Sequence, residues 1–187
     1  MIFYFYEKYG LDKNKKSIIS VGLPIKRKGI DNFIYLAEKM PEYEFVWFGK
    51  LNPAVMPADI RKLIDKAPKN LHFPGYISSE EVREAYSGSD LYVFLTREET
   101  EGIVLLEALA TKADILIRDI EIFEDGYMDG VNIYKGKTNE EFERKIKSIL
   151  EGDLPSLKEE GYKKASEKSI VNTGKRLVEC YEKVMKL

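Results

Sequence analysis

Short apolar runs alternate with helix-like patterns along almost the whole chain. Several of these runs consist of consecutive apolar residues, which is typical of strands that are covered on both faces. The predicted strands are Ser17–Gly22, Glu44–Gly49, Asn70–Phe73, Leu91–Leu95, Asp114–Ile117 and Val131–Tyr134.

Between these runs, apolar residues recur at the spacing of one helix face. Ser78 followed by Glu81 predicts a capping box at the start of one such helix. The apolar positions of the predicted helices are Ile30, Phe33, Ile34, Ala37 and Met40; Val82, Ala85 and Tyr86; Phe142, Ile146, Ile149 and Leu150; and Leu177, Val178, Tyr181, Val184 and Met185.

This alternation predicts an α/β fold: a Rossmann-like parallel sheet with helices on both faces. Ligands of such sheets bind at the carboxyl ends of the strands. We expect residues 1–187 to form a single domain. The short lead into the first strand and the long amphipathic tail would suit a domain of a larger enzyme. We expect the helix over residues 172–187 to pack towards a domain that is absent here.

The composition is that of an ordinary soluble domain, with 44% hydrophobic and 33% charged residues. The net charge of −2 gives no strong field that would favour nucleic acid. Met1 to Tyr6 is too short and too aromatic for a signal peptide, so a cytoplasmic location is expected. Cys180 and Trp47 are interpreted as packing residues and His72, the single histidine, as structural.

The segment from Asp90 to Ala110 is the most informative for function. A buried strand ends near Leu95, and an acidic loop, a glycine and a helix follow. The helix is apolar on all sides except at Glu107, so it is expected to be buried. A buried carboxylate needs a partner, and a ribose with neighbouring hydroxyl groups would supply one.

Gly102 would let a ligand approach the backbone closely. The amides of Gly102, Ile103 and Val104 lie at the predicted helix start, where a diphosphate is favoured. Glu99 precedes that helix and could reach sugar hydroxyls. The alternative is that Glu107 pairs with a lysine or arginine and that Glu99 is solvated.

The pattern Glu99-x7-Glu107, with Gly102 between them and Ala108 after them, resembles retaining glycosyltransferases of the GT-B fold, in their large fourth sequence family. The resemblance implies that Glu99 contacts the donor sugar as the catalytic residue and that Glu107 binds the ribose. It extends over three further stretches: Ser20-Val-Gly22 with Lys28-Gly29-Ile30-Asp31, Phe73-Pro-Gly75-Tyr-Ile77-Ser, and Tyr86-Ser-Gly-Ser-Asp90-Leu.

The resemblance makes Lys28 the phosphate-binding lysine. Cations at Lys26, Arg27 and Lys28 would oppose a helix macrodipole unless an anion is bound; the alternative is a solvated basic loop. Leu23 stands where the family often has an arginine that contacts the phosphates. Either Arg27 or Lys26 replaces that arginine, or the diphosphate is bound more weakly. From the resemblance and the helix start together, the expected substrate-binding residues are Lys28, Arg27, Gly22, Tyr76, Ile77, Thr96, Gly102, Ile103, Val104 and Glu107. For Tyr76 and Ile77, the alternative is an ordinary packed loop.

Residues 98–110 and the segments Leu116–Ile120 and Asn132–Lys135 resemble a subgroup, the glucosyltransferases of low-GC Gram-positive bacteria. Those enzymes transfer glucose from UDP-glucose to diacylglycerol. The expected partners are therefore a nucleotide-sugar donor, an N-terminal acceptor-binding domain and a lipid acceptor at the inner face of the membrane, with no metal and no cofactor. Arg118 and Asp119 could line the site, but a structural ion pair is favoured.

This chain alone is expected to bind nucleotide without transferring sugar. Two other classes of protein remain open from the residues alone. One is a sugar-nucleotide epimerase of similar architecture, or a domain that binds nucleotide without catalysis. The other is a doubly wound signalling or scaffold domain without a small-molecule ligand, in which Glu107 would be paired internally.

Overall fold

The computed structural model describes residues 2–185, so Met1, Lys186 and Leu187, at the ends of the predicted domain and tail helix, lie outside the described residues. Six strands form one sheet: β1 (Ser17–Val21), β2 (Glu44–Phe48), β3 (Leu71–Gly75), β4 (Leu91–Phe94), β5 (Ile115–Arg118) and β6 (Tyr134–Gly136). The helices are α1 (Ile2–Tyr9), α2 (Ile30–Lys39), α3 (Ala58–Asp65), α4 (Ser79–Gly88), α5 (Ile103–Ala110), α6 (Asn139–Leu150), α7 (Lys158–Glu167) and α8 (Ile170–Met185).

All strand pairs are parallel, in the order β3-β2-β1-β4-β5-β6. The chain winds outward from β1 to β3 and then returns to the other side of β1 to build β4 to β6. The strand order therefore reverses between β1 and β4, which is where open α/β sheets bind ligands. This confirms the predicted fold class.

Consecutive strand residues point to opposite faces of the sheet and build two separate cores. Ile19 and Tyr92 belong to a core that α1, α4, α5 and α7 cover. Ile18 and Val93 belong to a core that α2, α3 and α6 cover. Burial on both faces explains why the strand segments are apolar without alternation. The predicted core position of Trp47 is confirmed, because its side chain is fully buried.

Two local predictions are wrong. The last strand begins at Tyr134, because Val131 is exposed and the Asn132 side chain ties a turn through the Met128 amide and the Gly126 carbonyl. Cys180 does not pack: it is exposed on α8, a helix without buried residues. Helices α1, α3 and α7 were not predicted. Within the described chain, no helix is long and apolar enough to cross a membrane.

Candidate functional site

Two loops meet at the carboxyl ends of the adjacent strands β1 and β4. The loop after β1 contains a short 3-10 turn over Lys26–Lys28, and the loop after β4 leads to α5. The Arg97 amide donates a hydrogen bond to the Arg27 carbonyl at 2.8 Å, which joins the two loops. Because the connection is made by backbone atoms, the side chains of both loops are held at one place.

Thr96 braces this junction. Its side chain is fully buried, and its hydroxyl lies 2.8 Å from the Glu98 carbonyl and 3.3 Å from the Arg27 carbonyl. The structure therefore places Thr96 beneath the loops and away from the surface that a substrate could reach. Arg27 lies at that surface, where its guanidinium donates to the Glu98 carbonyl at 3.1 Å.

Gly29 allows the two loops to approach each other. Its φ of 82° lies in the left-handed region, and a Cβ at this position would stand 2.4 Å from the Leu95 carbonyl oxygen. Any side chain would therefore force β4 and the start of α2 apart. Gly22 follows β1, and its carbonyl accepts a hydrogen bond from the Trp47 indole at 2.9 Å. Leu23 next to it is exposed.

Lys28 and Glu99 form an ion pair across the two loops. The lysine side chain is 16% exposed and the glutamate side chain 10% exposed. The Lys28 ammonium also lies 5.6 Å from the centre of the Phe94 ring, within the range of a cation–π contact. The alternative interpretations of a solvated basic loop at Lys28 and a solvated Glu99 are therefore wrong.

Gly102, whose φ is 74°, is the N-cap residue of helix α5. Within the described residues, the amides of Gly102, Ile103 and Val104 have no acceptor, whereas the Leu105 amide already bonds to the Gly102 carbonyl. Free amides at a helix start attract anions. A Cβ at Gly102 would lie 3.5 Å from the Glu99 Cγ, so this helix start lies directly beside the Lys28–Glu99 pair.

The prediction that α5 is buried on all sides is wrong. Leu105, Ala108 and Leu109 face the core, but Ile103 is 63% exposed and Glu107 is exposed as well. The second apolar face of the helix lines a cavity, which explains a composition that suggested complete burial. Within the described part of the chain, Glu107 has no hydrogen-bonding or ion-pairing partner, so the alternative of an internal salt bridge is also wrong.

The cavity lies between α4 and α5 and has a volume of about 380 Å³. Its walls are mostly apolar, and Glu107 is its only carboxylate among the described residues. It is lined by Val21, Tyr76, Ile77, Ser79, Val82, Arg83, Val104, Glu107, Ala110 and Thr111. An apolar cleft with a few polar groups at its edge suits a small ligand that has one flat apolar part and one hydroxylated part.

Tyr76 and Ile77 come from the loop after β3. Tyr76 is 78% exposed and also borders a second cavity of about 460 Å³ at the carboxyl ends of β2 and β3. Sequence reasoning missed Arg83 and Thr111. The capping box could have located Arg83, because a helix that starts after Ser78 places Val82 and Arg83 one turn further on. Arg83 is paired with Glu80 at 3.1 Å.

The Glu107 carboxylate affects the pKa values of two buried tyrosines beneath the cavity. Burial raises the pKa of Tyr86, and the neighbouring Glu107 carboxylate raises it further. Burial raises the pKa of Tyr92 well above its ordinary value, with smaller contributions from Tyr86 and from both glutamates. Both phenols therefore stay neutral and do not add negative charge to the site.

Arg118 and Asp119 do not form the predicted ion pair. The Arg118 guanidinium donates to the carbonyls of Leu95 and Lys137 and to Asn32, whereas Asp119 is paired with Lys135 and Lys137. Neighbouring residues at the end of a strand point in opposite directions, which keeps the two apart.

His72 lies away from these loops on the edge strand β3, and its Nε2 is 2.6 Å from Glu44 Oε2. The Glu44 side chain is buried and the His72 side chain is partly buried, which is consistent with the structural role predicted for the histidine. Within residues 2–185 there is no group of three or more histidine, cysteine, aspartate or glutamate side chains that could hold a metal ion.

Comparisons with known proteins identify the family of the chain. The profile of the family described as Glycosyl transferases group 1 matches residues 5–169. The processive diacylglycerol alpha-glucosyltransferase of Acholeplasma laidlawii is 39% identical over 183 residues, which cover 98% of this chain and 55% of that protein. The alpha-galactosylglucosyldiacylglycerol synthase of Streptococcus pneumoniae is 36% identical over 118 residues, or 62% of this chain and 32% of that protein. The chain therefore spans only about half, or less, of these relatives.

Two solved structures show the same fold at low sequence identity. The sucrose-phosphate synthase of Thermosynechococcus elongatus superposes with a TM-score of 0.84 at 16% identity, covering 99% of this chain and 49% of that one. Anabaena Alr3699/HepE in complex with UDP-glucose also gives a TM-score of 0.84, at 14% identity, covering 97% of this chain and 52% of that one. With a family profile matched over most of its length and the expected GT-B half-fold, the chain belongs to the group 1 family of glycosyltransferases.

Proposed function

We propose that the chain binds the nucleoside diphosphate sugar donor of a retaining hexosyltransferase and that this donor is UDP-glucose. The observation that carries the proposal is the order of chemical groups along α5. Glu107 borders the apolar cavity, the free amides lie at the helix start, and Lys28 and Glu99 lie beside it. This order is that of nucleoside, diphosphate and sugar in the donor.

The dimensions support this assignment. Glu107 is four residues beyond Ile103, so the two lie about 6 Å apart along the helix axis at 1.5 Å per residue. In our proposal the base enters the apolar cavity beside Tyr76 and Ile77. The Glu107 carboxylate then accepts a hydrogen bond from each of the two ribose hydroxyl groups. The diphosphate then lies at the α5 amides, and the sugar reaches Glu99.

The same groups would promote departure of the diphosphate. Negative charge grows on the leaving diphosphate as the bond to the sugar breaks. Fixed amides at the start of α5 stabilise that charge without having to reorganise, and Lys28 and Arg27 add positive charge beside them. Lys26, Arg27 and Lys28 precede α2, and their charges would oppose its macrodipole in the free protein. These charges become favourable once the anion is bound.

In our proposal the acceptor binds to a part of the protein that lies outside this chain. The chain spans 55% of the diacylglycerol glucosyltransferase relative, which leaves room for an N-terminal acceptor-binding domain. The names of both relatives support a lipid acceptor. We propose that this acceptor is met at the inner face of the membrane. We therefore expect this chain alone to bind nucleotide without transferring sugar.

Calorimetric titration of the chain with UDP, UDP-glucose and GDP tests the proposal. We expect UDP and UDP-glucose to bind in preference to GDP, and Glu107→Gln to weaken uridine nucleotides at least about tenfold, or 1.4 kcal/mol. Glu38→Gln is the matched control, because Glu38 is an exposed carboxylate on α2 outside the cavity. A folded chain that binds no nucleotide, or equal affinities for the two variants, would refute the proposal. Preference for GDP would replace glucose with mannose as the expected sugar.

A further inference from the structure

The carboxylate that is proposed to contact the donor sugar is already occupied in the free site. Glu99 Oε2 accepts a hydrogen bond from the Lys28 ammonium, and Glu99 Oε1 accepts one from the Thr100 amide at 3.2 Å. Both oxygens are therefore engaged, in a side chain that is only 10% exposed. Lys28, the proposed phosphate-binding lysine, is in turn neutralised by Glu99.

The Glu99 carboxylate and a bound diphosphate would compete for the Lys28 ammonium group. A diphosphate at the start of α5 would lie beside both members of the pair, because Gly102 adjoins Glu99. It would attract Lys28 and repel the Glu99 carboxylate. Both side chains are largely removed from water, so this competition is screened far less than it would be at an exposed site. Binding of the anion and release of the carboxylate are therefore linked.

We propose that Lys28 is a positioning residue for Glu99 and couples recognition of the diphosphate to recognition of the sugar. In the free site Lys28 holds Glu99 in the loop junction. When the diphosphate draws the ammonium away, a Glu99 oxygen becomes available to accept a hydrogen bond from a sugar hydroxyl. This inference rests on the proposed donor-binding function.

The coupling has a consequence that simple contact roles would not have. If Glu99 competes with the diphosphate for Lys28, then Glu99→Gln should strengthen the binding of UDP, which has no sugar. The same variant should weaken the extra affinity that the glucose of UDP-glucose provides. If Lys28 is also replaced, the gain in UDP affinity should vanish, because the group that was being competed for is gone.

The experiment is a calorimetric comparison of UDP and UDP-glucose on the wild type, Glu99→Gln and the double variant Lys28→Met with Glu99→Gln. The double variant removes both charges, so it avoids the buried unpaired charge that can unfold a single variant. Glu98→Gln is the matched control: it makes the same charge change one residue earlier, on an exposed side chain. Thermal unfolding of each variant verifies that it is folded.

We expect Glu99→Gln to bind UDP at least about threefold more tightly than the wild type, a shift that titration resolves readily. We expect the double variant to bind UDP more weakly than the wild type, and Glu98→Gln to match the wild type. The inference is overturned if Glu99→Gln binds UDP no more tightly than the wild type, or if Glu98→Gln gives the same gain. A wild-type chain that is folded but binds no UDP instead refutes the proposed function, so the two failures are distinguishable.

Discussion

At the scale of single residues, Asp90 joins the amino ends of β1 and β4 to helix α1. Its carboxylate accepts hydrogen bonds from the Ser17 amide at 2.9 Å and the Tyr6 hydroxyl at 2.7 Å, and Lys16 lies 2.9 Å away. Burial alone would raise the pKa of Asp90, but these hydrogen bonds together lower it below its ordinary value. The ionised form is therefore the one that stabilises the fold.

We expect Asp90→Asn to reduce the free energy of unfolding near pH 7 by about 1–3 kcal/mol, the usual cost of leaving buried partners unsatisfied. The pKa is lower in the folded protein, so the contribution of the carboxylate is complete above the ordinary aspartate pKa of about 3.9. It is lost as the pH falls through the folded value. Urea unfolding over a pH series should show the gap between variant and wild type narrowing in acid.

Asp125→Asn is the control for this variant, since Asp125 is exposed in a loop. It should unfold like the wild type at every pH. A gap that widens on acidification would contradict the assigned direction of the Asp90 pKa shift.

The two glutamates of the motif show what the sequence can determine at this scale. The family resemblance carried by Glu99, Gly102 and Glu107 predicted that both glutamates belong to one site. It could not indicate their burial, because an apolar helix face can meet either a core or a cavity. The Lys28–Glu99 contact depends on the pairing of β1 with β4, which is not encoded locally.

At the scale of elements, helix α4 shows a start signal that is read directly from the sequence. Ser78 and Glu81 form the predicted capping box, in which the Glu81 amide donates to Ser78 Oγ and the Ser78 amide donates to Glu81 Oε2. Both hydrogen bonds are local, so spacing alone predicted them. The cap also fixes where the Val82 and Arg83 side chains meet the cavity.

We expect Ser78→Ala to lower the free energy of unfolding by about 1 kcal/mol, because the α4 amides lose their cap. Ser78→Asp should retain most of the stability, since aspartate also accepts hydrogen bonds at this position. Chemical denaturation of both variants measures the difference. Equal stability of the alanine and aspartate variants would show that the cap contributes nothing.

The elements that the sequence did not predict have weak or misleading local signals. Helix α7 buries Gly161 and Ala165, whose small side chains give little hydrophobic periodicity, and α3 buries only Ile60. Phe5 and Tyr6 of α1 suggest a strand as readily as a helix. In the structure Phe5 lies against Gly88 of α4. Tertiary contacts, rather than local propensity, decide these segments.

At the scale of the whole molecule, the two ends of the chain differ in how they relate to the core. At the amino end, Phe5 and Tyr6 of α1 are buried in the core that α1, α4, α5 and α7 cover. At the carboxyl end, α8 buries none of its residues, although it carries a continuous apolar stripe. The exposed positions of that stripe are Leu177, Val178, Tyr181, Val184 and Met185.

Such an exposed stripe is typical of a surface that binds another protein surface. We propose that it packs on the N-terminal domain outside this chain, and that proposal predicts how two truncations differ.

Removing residues 170–187 should leave the melting temperature and UDP affinity unchanged, because no core contact is lost. Removing residues 1–10 should destabilise the fold by about 3 kcal/mol or more, because two large buried side chains disappear. Circular dichroism melting and calorimetric titration with UDP measure the two properties. If loss of α8 lowers the melting temperature as much as loss of α1, then α8 belongs to the core of this domain and the proposed docking is wrong.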